Sequence, residues 1–89
     1  MAEQTAGVDF STFVLSLASS AMLHLGRMPD PTGEAMRSDL GLARQSIDLL
    51  AMLRDKTAGN LTPEEDTLLK RLLHDLRVAY VEESGQQAS

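Results

Sequence analysis

The two histidines, His24 and His74, are the first candidates for catalysis or metal binding. No Asp or Glu lies four positions from His24, and the chain contains no HExxH or similar metal-binding spacing. His74 precedes Asp75, but adjacent residues on a helix point about 100° apart and do not face each other. We therefore predict no metal, no cofactor and no catalytic role at either histidine.

Ser38 invites comparison with carrier proteins, in which a serine at the start of a helix bears a phosphopantetheine group. Acyl carriers have Asp-Ser-Leu at this position, whereas this chain has Ser38-Asp39-Leu40. The order is reversed, and serine before a helix is typical of a cap. A structural role for Ser38 is favoured.

The segment Lys56-Thr57-Ala58-Gly59-Asn60 resembles a phosphate loop in composition only. A phosphate loop needs its glycines before the lysine, at the start of a helix. Here the lysine closes a predicted helix, and the dipole at a helix C-terminus repels anions. The segment is predicted to end the helix, with Gly59 as its cap.

Charged residues four apart, such as Arg44 with Asp48 and Arg71 with Asp75, are typical of ion pairs on a helix surface. When the second and third helices are aligned as a hairpin, Asp48 falls near Arg77. We therefore predict a structural ion pair between Asp48 and Arg77 and no catalytic role for either.

The chain has 89 residues, of which 43% are apolar and 24% charged. This composition is typical of a small globular protein. The absence of cysteine excludes disulfides, thiolate metal sites and cysteine nucleophiles. The net charge of -5 argues against nucleic acid or an anionic membrane as the main partner. The longest uncharged stretch, 10–26, is shorter than the roughly 20 apolar residues of a membrane span. We expect a cytoplasmic protein with no membrane span and no signal peptide.

The first of three predicted helices covers 11–25. Asp9 or Ser11 can cap its start, and Gly26 is placed to end it in a left-handed conformation. Its apolar residues cover roughly 200° of the helix, and the opposite face carries no formal charge. Because such a helix has no charged face for water, we expect it to be covered on more than one side.

The other two helices are predicted over 39–58 and 63–82. The second begins near Ser38 or Asp39, after a connection over 27–37 that contains two prolines and a glycine. The third has the strongest start signal of the chain, a capping box of Thr62 and Glu65 with proline between them at the first helical position.

These elements predict an all-α fold, a small three-helix domain over 10–83. The short link between the second and third helices predicts an antiparallel hairpin. The wide apolar arcs predict that dimerisation completes the domain as a larger helical bundle. The small polar segments 1–9 and 84–89 are predicted to be flexible tails.

A central run of the sequence carries a resemblance to a known family. The residues of this run are Ile47-Asp48-Leu49-Leu50, Met52-Leu53, Lys56-Thr57 and Gly59-Asn60-Leu61-Thr62-Pro63-Glu64-Glu65. From about Phe10 to Val81 the chain resembles a small bacterial family known only as a domain of unknown function. The resemblance implies a bacterial origin and a compact helical domain. It brings no activity, so no residue inherits a catalytic role.

We therefore expect a non-enzymatic helical module for protein–protein interaction that self-associates, most simply as a homodimer. The residues predicted at the self-contact or at a partner protein are Phe13, Leu15, Leu17, Ala18 and Met22. One alternative is an adaptor whose apolar groove binds an amphipathic helix of another protein. A carrier protein or an enzyme is a further alternative.

Overall fold

The computed structural model describes residues 9–28 and 38–88. Three α-helices follow one another along the chain: α1 is Phe10–His24, α2 is Leu40–Lys56 and α3 is Pro63–Ala88. The fold is therefore all-α. The predictions for 1–8 and for 29–37, which include the N-terminal tail and most of the first connection, lie outside the described residues.

Aspartate side chains begin the first two helices. Asp9 accepts a hydrogen bond from the backbone N–H of Thr12 at 2.8 Å, and Asp39 accepts one from Leu42 at 3.0 Å. Each carboxylate satisfies a backbone donor that has no partner inside the helix, and its negative charge suits the positive end of the helix dipole. Asp39, and not Ser38, is the N-cap of α2.

The start of α3 is a reciprocal capping box. The backbone N–H of Thr62 donates to Glu65 Oε1 at 2.9 Å, and the backbone N–H of Glu65 donates to Thr62 Oγ1 at 3.1 Å. Pro63 at the first helical position has no N–H to satisfy. Local sequence alone therefore determines where α3 begins.

Two glycines with positive φ follow the ends of α1 and α2, Gly26 at +78° and Gly59 at +86°. At the end of α1, the N–H of Gly26 donates to the carbonyl of Leu23, and the N–H of Arg27 donates to the carbonyl of Met22. These two bonds form a Schellman motif, which needs a left-handed residue at the position of Gly26.

The core lies where the three helices meet, and each helix packs against both others. Its buried apolar residues are Val14, Ala18, Ala21, Leu25, Ala43, Ile47, Leu50, Leu69, Leu73, Leu76 and Ala79. Alanines within the core let the helix backbones approach closely, so a few leucines are enough to fill the space between the helices. The large buried side chains are mostly leucines of α2 and α3.

The ends of the first connection lie side by side. The backbone N–H of Asp39 donates to the carbonyl of His24 at 2.6 Å, and a Cβ built on Gly26 would be 3.4 Å from the Cβ of Ser38. The chain therefore returns to the end of α1 before α2 begins. A Cβ at position 26 would just reach contact with Ser38, so a larger side chain there must displace the start of α2.

The third helix is longer than the sequence predicts. It continues to Ala88 instead of ending near residue 82, so most of the segment 84–89 is helical. No proline follows Pro63, and Gln86, Gln87 and Ala88 all have good helix propensity, so nothing local except Gly85 opposes continuation. None of the helices in the described residues is long and apolar enough to span a membrane.

The cap of α1 predicts a pH-dependent contribution to stability. The hydrogen bond from the Thr12 backbone lowers the pKa of Asp9 below its usual value. The ionised cap therefore stabilises the fold above the unfolded pKa of about 4, and this stabilisation is lost as pH falls through the lowered pKa. Asparagine caps helices about as well but does not ionise. We expect Asp9→Asn to be near neutral in effect at high pH and to lose less stability than wild type in acid.

Urea unfolding between pH 7 and pH 2 tests this expectation at one protein concentration. Asp75→Asn is the matched control, because Asp75 is exposed in the middle of α3 and caps no helix. If Asp9→Asn lost as much stability in acid as wild type does, while Asp75→Asn did not, the role assigned to Asp9 would be contradicted.

Candidate functional site

The outward side of α1 is an uncharged surface. The core side is formed by Val14, Ala18, Ala21 and Leu25, which recur every three or four residues. The exposed residues on the remaining side, here called the α1 outer face, are Thr12, Phe13, Leu15, Ser16, Ser19 and Ser20. None carries a formal charge, so the uncharged face noted in the sequence of this helix is also an uncharged surface of the folded domain.

The five residues predicted at the self-contact fall into three groups. Phe13 and Leu15 are exposed, at 45% and 47% of their full accessible surface. Leu17 and Met22 are half-buried and pack against the core of their own chain. Ala18 is only 5% exposed and belongs to that core, so we remove it from the candidate interface. Its small side chain allows α1 to approach its own neighbours and not a partner.

Phe13 and Leu15 lie at opposite borders of the α1 outer face. Two positions along a helix correspond to about 200° of rotation, so these side chains are about 160° apart when measured across the exposed side. Between them, the Ser16 hydroxyl donates to the Thr12 carbonyl at 3.0 Å. Because that donor is already satisfied within the helix, a partner could cover Ser16 with little loss of hydrogen bonding.

The two histidines lie on different helices. His24 lies half-buried at the end of α1, whereas His74 is exposed on α3. Ser38 is exposed immediately before the N-cap of α2. Within 9–28 and 38–88, no group of three or more His, Asp or Glu side chains is arranged to hold a metal ion.

The ion pair expected between Asp48 and Arg77 does not form. Asp48 lies 3.8 Å from Arg44 on its own helix, and no ion pair joins it to Arg77 among the residues that the structure describes. Both residues nevertheless line one surface depression. The hairpin alignment placed the two residues near each other, but the neighbour one turn away on α2 takes the carboxylate instead.

An ion pair that the sequence did not indicate joins the end of α1 to α3. The guanidinium of Arg27 donates to Glu82 at 2.8 Å and to Glu83 at 3.0 Å. The bond to Glu82 raises the pKa of Arg27 above its usual value. Fifty-five positions separate Arg27 and Glu82, and no local pattern connects them. This contact joins the end of α1 to the last third of α3.

Two adjoining depressions lie between α2 and α3, and together we call them the α2–α3 groove. Their volumes are about 480 and 410 Å³, and both are lined by Arg77 and Val81. α1 contributes no residue to either depression within the part of the chain that the structure describes. The groove and the α1 outer face are therefore separate surfaces.

Sequence reasoning missed the α2–α3 groove, although a signal was present. Lys70, His74, Arg77 and Val81 are spaced by four, three and four residues, which places them on one face of α3. Charged residues on one face of a helix are usually exposed to water, so this spacing alone does not indicate a groove. Their arrangement around exposed valines becomes visible only when α2 is placed beside them.

Comparison with known proteins identifies the family. No curated protein and no solved structure matches the chain. A family model described as a domain of unknown function, DUF1844, matches residues 7–82, a range that includes the whole of α1 and α2 and most of α3. The chain therefore belongs to the DUF1844 family.

Proposed function

We propose that this domain is a non-enzymatic interaction module that self-associates as a homodimer through the α1 outer face. The observation that carries the proposal is the exposure of Phe13 and Leu15 on a helix whose exposed positions bear no charge. Complete burial of a fully exposed Phe or Leu side chain contributes about 1.5–3 kcal/mol, and Phe13 and Leu15 each have nearly half of their surface left to bury. A second copy that covers both borders of the face would bury this remaining surface on each chain.

The polar residues of the α1 outer face support close approach by a partner helix. Ser16, Ser19 and Ser20 are small, so a helix could lie along them while it contacts Phe13 on one side and Leu15 on the other. A twofold arrangement repeats every contact, because the same surface is used by both copies.

A structural part of this proposal is an antiparallel hairpin of α2 and α3, which serves as the platform for α1. Two neighbour relations support the opposite chain directions. Arg54, near the end of α2, lines a depression with Lys70, near the start of α3. Arg44, near the start of α2, lines another with Tyr80, much later in α3.

A non-enzymatic role is the simplest interpretation of the titratable groups. Asp9 and Arg27, the groups with displaced pKa values, each have a structural partner that explains the displacement. One partner is a helix terminus and the other is a pair of glutamates on α3. Neither group lines the α2–α3 groove, so neither displacement points to a reacting centre.

Substitution of Leu15 tests the self-association. We expect wild-type protein to have the mass of a dimer and Leu15→Asp that of a monomer with unchanged helical circular dichroism. Leu15 is half exposed, so an aspartate is tolerated in the monomer, whereas a dimer would bury the charge without a partner. The dissociation constant should rise at least 100-fold, which corresponds to about 2.7 kcal/mol. Light scattering behind a sizing column, over a range of concentrations, measures these masses.

Leu49→Asp is the matched control, because Leu49 is 40% exposed on α2, outside the α1 outer face. It should remain a dimer. A wild-type protein that is monomeric at every concentration would contradict the proposal. A dimer that survives Leu15→Asp but dissociates in Leu49→Asp would place the interface on α2 instead.

A further inference from the structure

The α2–α3 groove combines exposed apolar side chains with several charged ones. Arg77 and Val81 belong to both depressions, so they lie where the two adjoin. Val81 is 67% exposed and Val78 is 45% exposed, although both are apolar. Leu73 and Ile47, which belong to the core, form part of the groove lining. The groove therefore has an apolar floor and exposed valines at its centre, and its charged lining residues are Arg44, Arg54, Lys70, Arg77, Asp48 and Glu82.

Arg77 differs from the other arginines and the lysine that line the groove, because it has no ionic partner within the described residues. Lys70 pairs with Asp66 at 2.9 Å, Arg54 with Asp55 at 3.3 Å, and Arg44 with Asp48 at 3.8 Å. Within the described residues, Arg77 forms no ion pair and no side-chain hydrogen bond. Its guanidinium therefore presents its donors to whatever enters the groove, and a carboxylate matches that geometry best.

The dimensions of the groove fit a short helix. Along α2 it extends from Arg44 to Arg54, which is ten residues or about 15 Å. A partner helix of about three turns covers that length and presents apolar residues at spacings of three and four. One acidic residue on the same face would reach Arg77 as the helix covers Val78 and Val81.

The charges that line the groove favour a helix of another protein over a polyanion. A polyanion such as nucleic acid or an anionic membrane needs many cations, and its attraction grows with each one. Here the other cations of the groove are paired with carboxylates, and the whole chain carries a net charge of -5. Of the four Lys and Arg side chains that line the groove, only Arg77 is unpaired within the described residues, and this favours a protein segment with few charges.

We propose that the α2–α3 groove binds an acidic amphipathic helix of another protein, with its apolar face on Val78 and Val81 and a carboxylate on Arg77. This function goes beyond self-association, because the groove contains no residue of the α1 outer face. A dimer formed through α1 would carry two such grooves, one on each copy.

Selection from displayed helical peptides of about 14 residues tests the proposal on the full chain. The library encodes apolar residues at spacings of three and four and allows acidic, basic or neutral residues elsewhere. We expect enrichment of peptides with Asp or Glu next to the apolar face. For the enriched peptides, Arg77→Glu should weaken binding at least tenfold, because it puts a repulsive charge where a pair had formed.

Arg71→Glu is the matched control. Arg71 is exposed on the same helix but does not line the groove, so its substitution changes the net charge equally and should leave the affinity within about twofold. A peptide in which the acidic residue is replaced by lysine should bind Arg77→Glu more tightly than wild type. This charge exchange cannot result from a variant that merely fails to fold.

Three results would overturn the proposal: no enriched peptide, enriched peptides without acidic residues, or equal binding to wild type and Arg77→Glu. Binding of duplex DNA, or of phosphatidylserine-containing vesicles, that Arg77→Glu abolishes would show that the groove serves a polyanion instead. The variant Leu15→Asp separates this inference from self-association, because its groove should bind the selected peptides as wild type does.

Discussion

Replacement of Leu50 by alanine is expected to lower the free energy of unfolding by about 2–5 kcal/mol, the usual cost of a large-to-small change in a core. Leu50 on α2 is completely buried, and it lies in one cluster with Leu69, Leu73 and Leu76 of α3. The change removes apolar contacts with the other helices and leaves a cavity. For a domain of this size, each kcal/mol corresponds to about 4–8 °C in Tm, so Tm should fall by about 10 °C or more.

Leu49→Ala is the control for this prediction, because it makes the same change at the neighbouring residue. Leu49 is 40% exposed, so we expect a loss of less than about 1 kcal/mol. Urea unfolding followed by circular dichroism measures both variants, at one protein concentration because the proposed dimerisation would add a concentration-dependent stabilisation. Equal losses at the two positions would show that Leu50 does not face the core.

The starts of the three helices and the ends of α1 and α2 could be predicted from the sequence, because each depends on residues only a few positions apart. Asp9 needs only the N–H of Thr12, and Thr62 needs only Glu65. The left-handed glycines likewise follow from local backbone geometry. These interactions form within one turn, so a sequence without any known fold already contains them.

The inward side of α1 could not be predicted with the same certainty. An apolar arc of roughly 200° leaves several orientations that bury a comparable area. Ala18 and Leu15 lie three positions apart on that arc, yet one is buried in the core and the other is half exposed. In the folded structure the small alanines of α1 face the other helices, where their size allows close packing. Local periodicity does not include that information.

The charged residues of α3 show the same limit. Glu82 and Glu83 belong to a segment that the sequence marks only as a helix end, but Arg27 from the end of α1 binds both. The hairpin alignment predicted an ion pair between Arg77 and Asp48, but Asp48 pairs with Arg44 instead. Contacts between residues far apart in sequence depend on side-chain reach as well as on alignment. The groove around Arg77 could therefore be recognised only in three dimensions.

Replacement of Gly26 by valine is the second change for which we expect a large effect. At φ +78°, an L-residue costs about 1–2 kcal/mol in backbone strain. A Cβ at this position would already touch the Ser38 side chain at 3.4 Å, so the extra methyl groups of valine must displace the start of α2. Overpacking of this kind costs about 1–3 kcal/mol more. We expect the strain and the overpacking together to weaken the hydrogen bond from the Asp39 N–H to the His24 carbonyl, which joins α1 to α2.

Gly59→Val separates these two contributions. Gly59 has nearly the same φ, +86°, but a Cβ there would meet nothing within 4 Å. We therefore expect Gly59→Val to show only the backbone cost, whereas Gly26→Val shows the backbone cost and the overpacking. The corresponding alanine variants should differ much less from each other, because a single Cβ at position 26 only reaches contact distance. Urea unfolding of the four variants measures these differences. If the two valine variants were equally destabilised, then the close approach of Ser38 to Gly26 would not determine how α1 and α2 meet.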